Sequence, residues 1–283
     1  MDPENALTAD AKSQIDFNLH MVPAALGLDV PDVATAAILN VSEVALVGYI
    51  AEIETTVRHT AQRLLEKHGL ATALEKWPVP MGGTILAVGD SITTYRFGYA
   101  RILAATLAVH RVDDAIRFAN VGQSGYTSTH GLETTFTQNL DMNPDWVFIK
   151  FGVNDCKRFG GRAARTLVSL DEYRANMAGI VDAYQRFTDA RIILLTPTPV
   201  VEQLANSLPD FVAMRMTWDN TDLAACAEFV RDLARLRNQL VVDLFAIFGP
   251  DPDPDYFLPD GLHPNRAGHE IIAERVLETV RDI

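Results

Sequence analysis

The chain has 283 residues, 48% hydrophobic and 22% charged, which fits one large globular domain or one ordinary domain with an extension. Its 24 Lys+Arg and 37 Asp+Glu residues give a net charge of −13, which argues against polyanionic partners such as nucleic acid or an anionic membrane surface. Two cysteines are too few for a disulfide framework and favour a reducing compartment. No signal peptide or membrane-spanning stretch is visible, so we predict a soluble, cytoplasmic protein.

Residues 1–82 are predicted to form a helical extension. The stretch from Ala6 to about Leu39 is Ala-rich, with breaks expected at Gly27 and Pro31. A long helix should follow, with Ser42 as its N-cap and Gly69 as its stop. Its apolar stripe consists of Leu46, Ile50, Ile53, Val57, Ala61 and Leu64. The stripe predicts packing on the rest of the chain or on a second subunit, which would make a homo-oligomer.

The Pro- and Gly-rich segment at 77–83 predicts a boundary, so residues 83–283 are treated as a second domain. Five apolar, β-branched runs are predicted strands, at 84–88, 116–121, 146–151, 191–195 and 240–244. Predicted helices lie between or after them, at 98–109, 131–140, 171–187, 220–237 and 264–280. This alternation is typical of a parallel sheet covered on both faces, in which ligands bind beyond the carboxyl ends of the strands.

Two short motifs supply the parts of an activated serine. Gly-Asp-Ser at 89–91 places Ser91 where the first predicted strand ends, and Asp-Gly-Leu-His at 260–263 spaces Asp260 three residues before His263. A serine hydroxyl needs a base within about 3 Å to act as a nucleophile at neutral pH. His263 is the predicted base, and Asp260 is predicted to orient its ring and stabilise the imidazolium. Pro264 suits the first position of a helix.

Two further polar blocks follow the second and third predicted strands, at 120–128 and 152–155. With them the sequence resembles the SGNH hydrolases, the GDSL-like lipases and esterases, over residues 84–283. The blocks that carry the resemblance are GDSIT at 89–93, NVGQSGYTS at 120–128, GVND at 152–155 and DGLHPN at 260–265. The resemblance implies Ser91 as nucleophile, Gly125 and Asn154 in the oxyanion hole, and the Asp260–His263 pair.

The same resemblance implies a flavodoxin-like three-layer α/β/α sandwich with a five-stranded parallel sheet. It also implies a carboxylic ester hydrolase that works through an acyl-enzyme on a small-molecule ester. No cofactor is expected, and no metal is expected because the remaining histidines have no carboxylate or cysteine arrangement typical of a zinc site. The predicted substrates are short-chain acyl or acetyl esters. A thioesterase or a carbohydrate O-deacetylase with the same triad is the alternative. A non-catalytic binding module acting through the helical extension is a further one, against which the presence of all five chemical positions argues.

Several other residues have competing interpretations. Ser124 and Ser128 are predicted to serve turns or caps, and His269 to pack or lie at the surface. The Asp-Pro repeat at 251–255 lacks the Gly and Glu of a calcium loop and predicts a loop over the active site. The segment 196–219 predicts either an acyl-pocket wall or core cover, through Phe211, Met214, Met216 and Trp218. Tyr95, Tyr126 and Phe159 are predicted to add apolar wall, and Lys157 and Arg158 to meet solvent or an anionic or sugar group.

Overall fold

A computed structural model describes residues 7–18 and 32–281 of the chain. Its strands are β1 (Thr84–Gly89), β2 (Arg117–Asn120), β3 (Trp146–Lys150), β4 (Arg158–Phe159), β5 (Arg191–Leu195), β6 (Met216–Thr217) and β7 (Leu240–Val242). Five of them form a parallel sheet in the order β2-β1-β3-β5-β7, while β4 and β6 form a separate antiparallel pair. The predicted flavodoxin-like sheet is therefore confirmed, with a change of winding direction between β1 and β3.

Helices cover both faces of the sheet. The first ones are α1 (Ala9–Asn18), α2 (Asp32–Ile38), α3 (Glu43–Glu66), α4 (Leu70–Lys76), α5 (Ser91–Thr94), α6 (Tyr99–His110) and α7 (Ser128–Thr134). The later ones are α8 (Leu170–Phe187), α9 (Glu202–Ala205), α10 (Pro209–Ala213), α11 (Asn220–Arg237), α12 (Leu244–Phe248) and α13 (Arg266–Arg281). Because successive strand residues face opposite sides, Ile85 of β1 packs with α6 and α13 while its neighbour Leu86 packs with α8 and α11. This gives the three predicted layers.

Most predicted elements lie within a few residues of the observed ones, and the exceptions have local causes. The helix predicted at 131–140 begins earlier, at Ser128, because Thr127 and His130 form a capping box, and it passes into a π-turn at Thr135–Asn139. The helix predicted from Pro264 begins at Arg266, where Asn265 Oδ1 accepts from the backbone N–H groups of Ala267 and Gly268. The breaks predicted at Gly27 and Pro31 lie outside the described residues.

The long helix of the N-terminal region packs on the sheet domain. Ser42 caps α3 by accepting from the Ala45 N–H, as predicted, and α3 packs against α6 while α4 packs against α13. Two ion pairs with the C-terminal helix, Arg63–Glu270 from α3 and Lys67–Glu274 from the residue after it, add surface contacts of 2.7 Å each. The stop predicted at Gly69 was wrong: α3 ends at Glu66, and Gly69, at φ 80°, instead precedes α4.

The irregular segment between α4 and β1 is closely packed. Trp77 is buried and meets Trp146 of β3 edge-on, with ring centroids 5.5 Å apart. The Arg111 guanidinium donates to the carbonyls of Trp77 and Val79 at 2.7 Å, so the segment is fixed from two sides. Where the domain boundary falls stays a prediction.

Within the described part of the chain, no single helix is both long and apolar enough to cross a bilayer. Asp32–Ile38 and Glu43–Glu66 meet that test of length and composition only when taken together, and they are bent by 105° where they meet.

His269 of α13 makes stability depend on pH. Its ring is fully buried, Nδ1 accepts from the Tyr99 N–H at 3.1 Å, and burial lowers its pKa to about 3. In the unfolded chain this histidine takes up a proton near pH 6.5, whereas in the folded chain it stays neutral. The free energy of unfolding is therefore highest above pH 6.5 and decreases as the pH is lowered below that value. We expect the free energy of unfolding in urea to fall between pH 6.5 and 4.5 by up to about 1.4 kcal/mol per pH unit more in the wild type than in His269→Asn, which keeps an acceptor. Parallel pH profiles for the two proteins would contradict this.

Candidate active site

The turn after β1 sets the position of Ser91. Asp90 caps the short helix α5 by accepting from the Ile92 N–H at 3.0 Å, and Ser91 is the first residue of that helix. A Cβ at Gly89 would lie 2.7 Å from the Lys150 carbonyl oxygen and would collide with the side chain of Thr93. Glycine is therefore required where the chain turns back over the strand end. This turn holds the Ser91 hydroxyl beyond the carboxyl edge of the sheet, at the edge of a cavity.

The Asp260–His263 turn brings its two side chains to this serine. Ser91 Oγ lies 2.8 Å from His263 Nε2, and His263 Nδ1 lies 2.7 Å from Asp260 Oδ2. The other carboxylate oxygen, Oδ1, accepts from the backbone N–H groups of Leu262 and His263 at 2.8 and 3.0 Å. The carboxylate is thus held by three donors, and one of them is the imidazole.

Electrostatics fix which nitrogen of His263 carries the proton. Burial by itself would raise the pKa of Asp260, but the hydrogen bond and the attraction from His263 and the backbone N–H groups of Leu262 and His263 bring it below the ordinary value. An ionised carboxylate only accepts, so Nδ1 of the ring must donate to it. Nε2 of the neutral ring is then left as an acceptor facing the Ser91 hydroxyl, which is the arrangement that general-base catalysis needs.

The backbone N–H of Gly125 and the side-chain amide of Asn154 belong to two more residues that line the same cavity. Gly125 has φ +80°, a value that favours glycine, and a Cβ there would meet nothing within 4 Å, so its conformation rather than close packing requires glycine. Asn154 follows β3, and its Nδ2 donates to the Tyr126 carbonyl at 3.1 Å, which leaves its second N–H free to bond a ligand. Ser91, as the first residue of α5, adds a backbone N–H that has no acceptor within its helix.

Asp155 connects the loops that carry these two groups. Its Oδ1 accepts from both the backbone N–H and the hydroxyl of Ser128, the first residue of α7, and Asn176 of α8 donates to the same hydroxyl at 3.1 Å. Burial raises the pKa of Asp155 to about 6. This network fixes the loop bearing Asn154 relative to the loop bearing Gly125.

Comparison with known proteins identifies the family of this chain. Residues 87–271 match the model of the GDSL-like Lipase/Acylhydrolase family. The chain belongs to this family. It is 30% identical over 215 residues to a GDSL esterase/lipase of Arabidopsis thaliana, an alignment that covers 72% of this chain and 80% of the plant protein. It is 28% identical over 219 residues to an acetylxylan esterase of Geobacillus stearothermophilus, covering 70% and 94%.

A crystal structure of an acetylxylan esterase from Geobacillus stearothermophilus has a TM-score of 0.54 with this chain at 25% identity. The likeness covers 71% of this chain and 95% of that one. The family and the relatives together make the chain a carboxylic ester hydrolase of the GDSL-like type.

The GDSL-type site opens into a cavity of about 230 Å³. Four of the five predicted site residues line it, namely Ser91, Gly125, Asn154 and His263, whereas Asp260 lies behind the imidazole. The other lining residues are Ser13, Phe17, Asn18, Ser124, Lys157, Phe211, Met216, Trp218 and Leu262. A larger cavity of about 670 Å³ lies between α3 and α6, but no serine, cysteine or histidine lines it, so the smaller cavity is the candidate site.

The predicted pocket wall is partly right. Phe211, Met216 and Trp218 line the cavity, because the β4–β6 pairing draws their segment back toward the loop after β3, while Met214 does not. The Trp218 indole N–H also donates to the Val153 carbonyl at 2.9 Å.

Three predicted wall residues lie elsewhere. Tyr95 is buried behind Phe17, Tyr126 stacks on His130, and Phe159 is 51% exposed. Lys157 lines the cavity, but Arg158 pairs with Asp222.

The remaining candidates take structural roles. Ser124 donates to the carbonyl of Phe17 at 3.1 Å, and His269 is buried as described. The loop at 251–255 does not line the cavity and instead supports the histidine turn, since Asn265 donates to the carbonyls of Asp255 and Phe257. Cys156 is buried with its sulfur 3.5 Å from that of Cys226. Across residues 7–18 and 32–281, no three His, Cys, Asp or Glu side chains are grouped as metal ligands.

Two features at the site, Lys150 and Phe17, were not predicted from the sequence. Lys150, at the end of β3, is fully buried, and its Nζ lies 3.1 and 3.2 Å from the two carboxylate oxygens of Asp90. A lysine within the apolar run Trp-Val-Phe-Ile-Lys-Phe is the signal that could have indicated a buried partner. The second feature is Phe17 of α1, for which no motif exists.

Proposed function

We propose that this hydrolase cleaves carboxylic esters with Ser91 as nucleophile, His263 as general base and Asp260 as the group that orients the histidine. The observation that carries the proposal is the continuous relay of two short contacts, 2.8 Å from Ser91 Oγ to His263 Nε2 and 2.7 Å from His263 Nδ1 to Asp260 Oδ2. Each member of the relay has the partner that its role requires.

The proposed reaction has two stages. Ser91 Oγ attacks the ester carbonyl while its proton passes to His263 Nε2, and the imidazolium then gives that proton to the departing alcohol. This leaves the acyl group on Ser91. A water molecule then gives a proton to the same nitrogen and attacks the acyl carbon. As the bond from that carbon to Ser91 Oγ breaks, the imidazolium returns the proton to Oγ, and the carboxylic acid is released.

Both stages pass through a tetrahedral oxyanion that needs donors. The proposed donors are the backbone N–H groups of Ser91 and Gly125 and the side-chain amide of Asn154, all of which belong to residues lining the cavity. Such donors act in a partly water-excluded site and are placed before the charge develops, so they stabilise the transition state more than the substrate.

The proposed substrates are esters with short acyl groups. The cavity, at about 230 Å³, is smaller than the roughly 300–1,000 Å³ typical of drug-sized ligands. Phe211, Met216 and Trp218 give it an apolar side suited to an acetyl or short aliphatic group. Similarity to an acetylxylan esterase supports a second candidate, removal of acetyl groups from a carbohydrate.

Hydrolysis of a matched ester series tests this function. We expect kcat/KM for p-nitrophenyl esters to decrease from acetate to butyrate to octanoate, with octanoate at least tenfold below acetate, because the longer chain exceeds the cavity. Acetylated xylose and an acetyl thioester, assayed beside the series, separate the deacetylase and thioesterase alternatives. A folded preparation that cleaves none of these compounds would refute the ester hydrolase mechanism, and equal rates on octanoate and acetate would refute the short-chain preference.

A further inference from the structure

The helix α1 lies at the mouth of the catalytic cavity. Its residues Ala11 and Ile15 are buried against the rest of the protein, while Ser13, Phe17 and Asn18 line the cavity. The family match begins only at residue 87, so this wall of the site comes from outside the matched region.

Contacts at its C-terminal end hold α1 in place. The last carbonyl groups of a helix accept no hydrogen bond from within that helix. Two of these carbonyls in α1 accept hydrogen bonds from other segments of the chain. The Arg96 N–H donates to the Asp16 carbonyl at 3.0 Å, and the Ser124 hydroxyl donates to the Phe17 carbonyl at 3.1 Å. From α3, the Tyr49 hydroxyl lies 3.1 and 3.2 Å from the two carboxylate oxygens of Asp16. The loops that carry Arg96 and Ser124 therefore hold α1 through its backbone, and α3 holds it through a side-chain contact.

The ring of Phe17 contacts the proposed general base. Its centroid lies 4.7 Å from that of the His263 imidazole and 4.8 Å from that of Tyr95, on which it stacks. The side chain is only partly buried, so some of its apolar surface faces the cavity. Covering such an apolar surface with an apolar ligand group removes it from water, which favours binding.

The chemistry identifies which part of the ester passes Phe17. To receive a proton, the oxygen of the leaving alcohol must come within hydrogen-bond distance of His263 Nε2. The carbonyl oxygen is instead held by the donors on Gly125 and Asn154. The group attached to the leaving oxygen therefore lies beside the imidazole and within contact distance of the ring that packs on it.

We propose that Phe17 is a specificity-determining residue that binds the alcohol portion of the ester, and that it favours alcohols with a ring-shaped apolar face. The inference rests on the proposed function, because the side of the cavity is assigned through the role of His263. It gives the N-terminal region a function in substrate selection.

The test compares two pairs of esters by pH-stat titration. Benzyl acetate against methyl acetate varies the alcohol, and methyl butanoate against methyl acetate varies the acyl group. We expect Phe17→Ala to lower kcat/KM for benzyl acetate relative to methyl acetate by about tenfold, since one ring contact is lost, and to change the acyl ratio by less than about twofold. Phe17→Leu keeps part of the apolar volume at this position. Its ratio of kcat/KM for benzyl acetate to that for methyl acetate should lie between the ratios of the wild type and Phe17→Ala.

Phe136→Ala is the matched control, because this phenylalanine is 54% exposed and packs on Phe187 away from the cavity. It should leave both ratios unchanged. A uniform loss of rate on all three esters in Phe17→Ala would mean that the ring only positions His263 and would overturn the proposal, as would an altered acyl ratio or two unchanged ratios. These outcomes are ratios between active enzymes, so they are distinct from failure of the proposed mechanism, which appears as activity that survives Ser91→Ala.

Discussion

Replacing Ser91 by alanine is expected to lower kcat for p-nitrophenyl acetate by about 10⁴- to 10⁶-fold, with little change in stability. The hydroxyl contributes one hydrogen bond to His263 in the resting enzyme, but without it no acyl-enzyme forms. Activity that remains should come from direct attack of water on the ester, with the oxyanion donors stabilising the charge that forms on the carbonyl oxygen. Single-turnover assays on the purified variant, with a thermal unfolding midpoint to verify folding, measure the effect.

A fluorophosphonate label identifies the nucleophile independently of rate. It should bind the wild type and fail to bind Ser91→Ala. Ser124→Ala, which removes another serine from the same cavity, should still take the label. The exposed serine variant Ser207→Ala controls for the substitution itself and should match the wild type in rate and labelling. If the label stayed on Ser91→Ala and disappeared from Ser124→Ala, the nucleophile would be the other serine.

The second large effect is expected at Lys150. Its ammonium and the Asp90 carboxylate are both buried, and burial lowers the pKa of Lys150 while Asp90 acts to raise it. Lys150→Met leaves the Asp90 carboxylate without its cation, which should cost about 3–5 kcal/mol in the free energy of unfolding. Equilibrium unfolding in urea measures the loss.

The double variant Asp90→Asn/Lys150→Met is the control. The asparagine keeps an oxygen that can accept from the Ile92 N–H, and no unpaired charge remains, so at least half of the lost stability should return. A single variant as stable as the wild type, or a double variant as unstable as the single one, would show that the pair is not held as an ionised couple.

The sheet was predictable because its strands are short apolar runs between clear turn signals, as in Trp146–Lys150. The alternation of strands and helices then places the polar residues that follow each strand on one edge. Asp260 and His263 were predictable for a further reason, since a spacing of three residues lets one turn hold both. These features depend on local sequence, and the structure agrees with them.

Other features depend on contacts between distant segments. The pairing of Arg158–Phe159 with Met216–Thr217 involves only two residues from each strand, too few to produce a periodic pattern. Phe17 meets His263 because α1 is held by Tyr49 of α3 and by the distant loop residues Arg96 and Ser124. The salt link between Lys150 and Asp90 likewise joins the ends of β3 and β1, and only the register between those strands reveals it.

The placement of α1 against the histidine turn also affects how the chain folds. Ser91 and His263 are 172 residues apart in sequence, and Phe17 is further still from the ring it packs on. During synthesis from the N-terminus, Ser91 is therefore made long before His263. Phe17 of α1 is likewise made long before the histidine ring on which it packs. No single segment contains all the residues of the candidate site. A truncated product that lacks the Asp260–His263 turn and α13 would contain Ser91 without the histidine proposed to activate it.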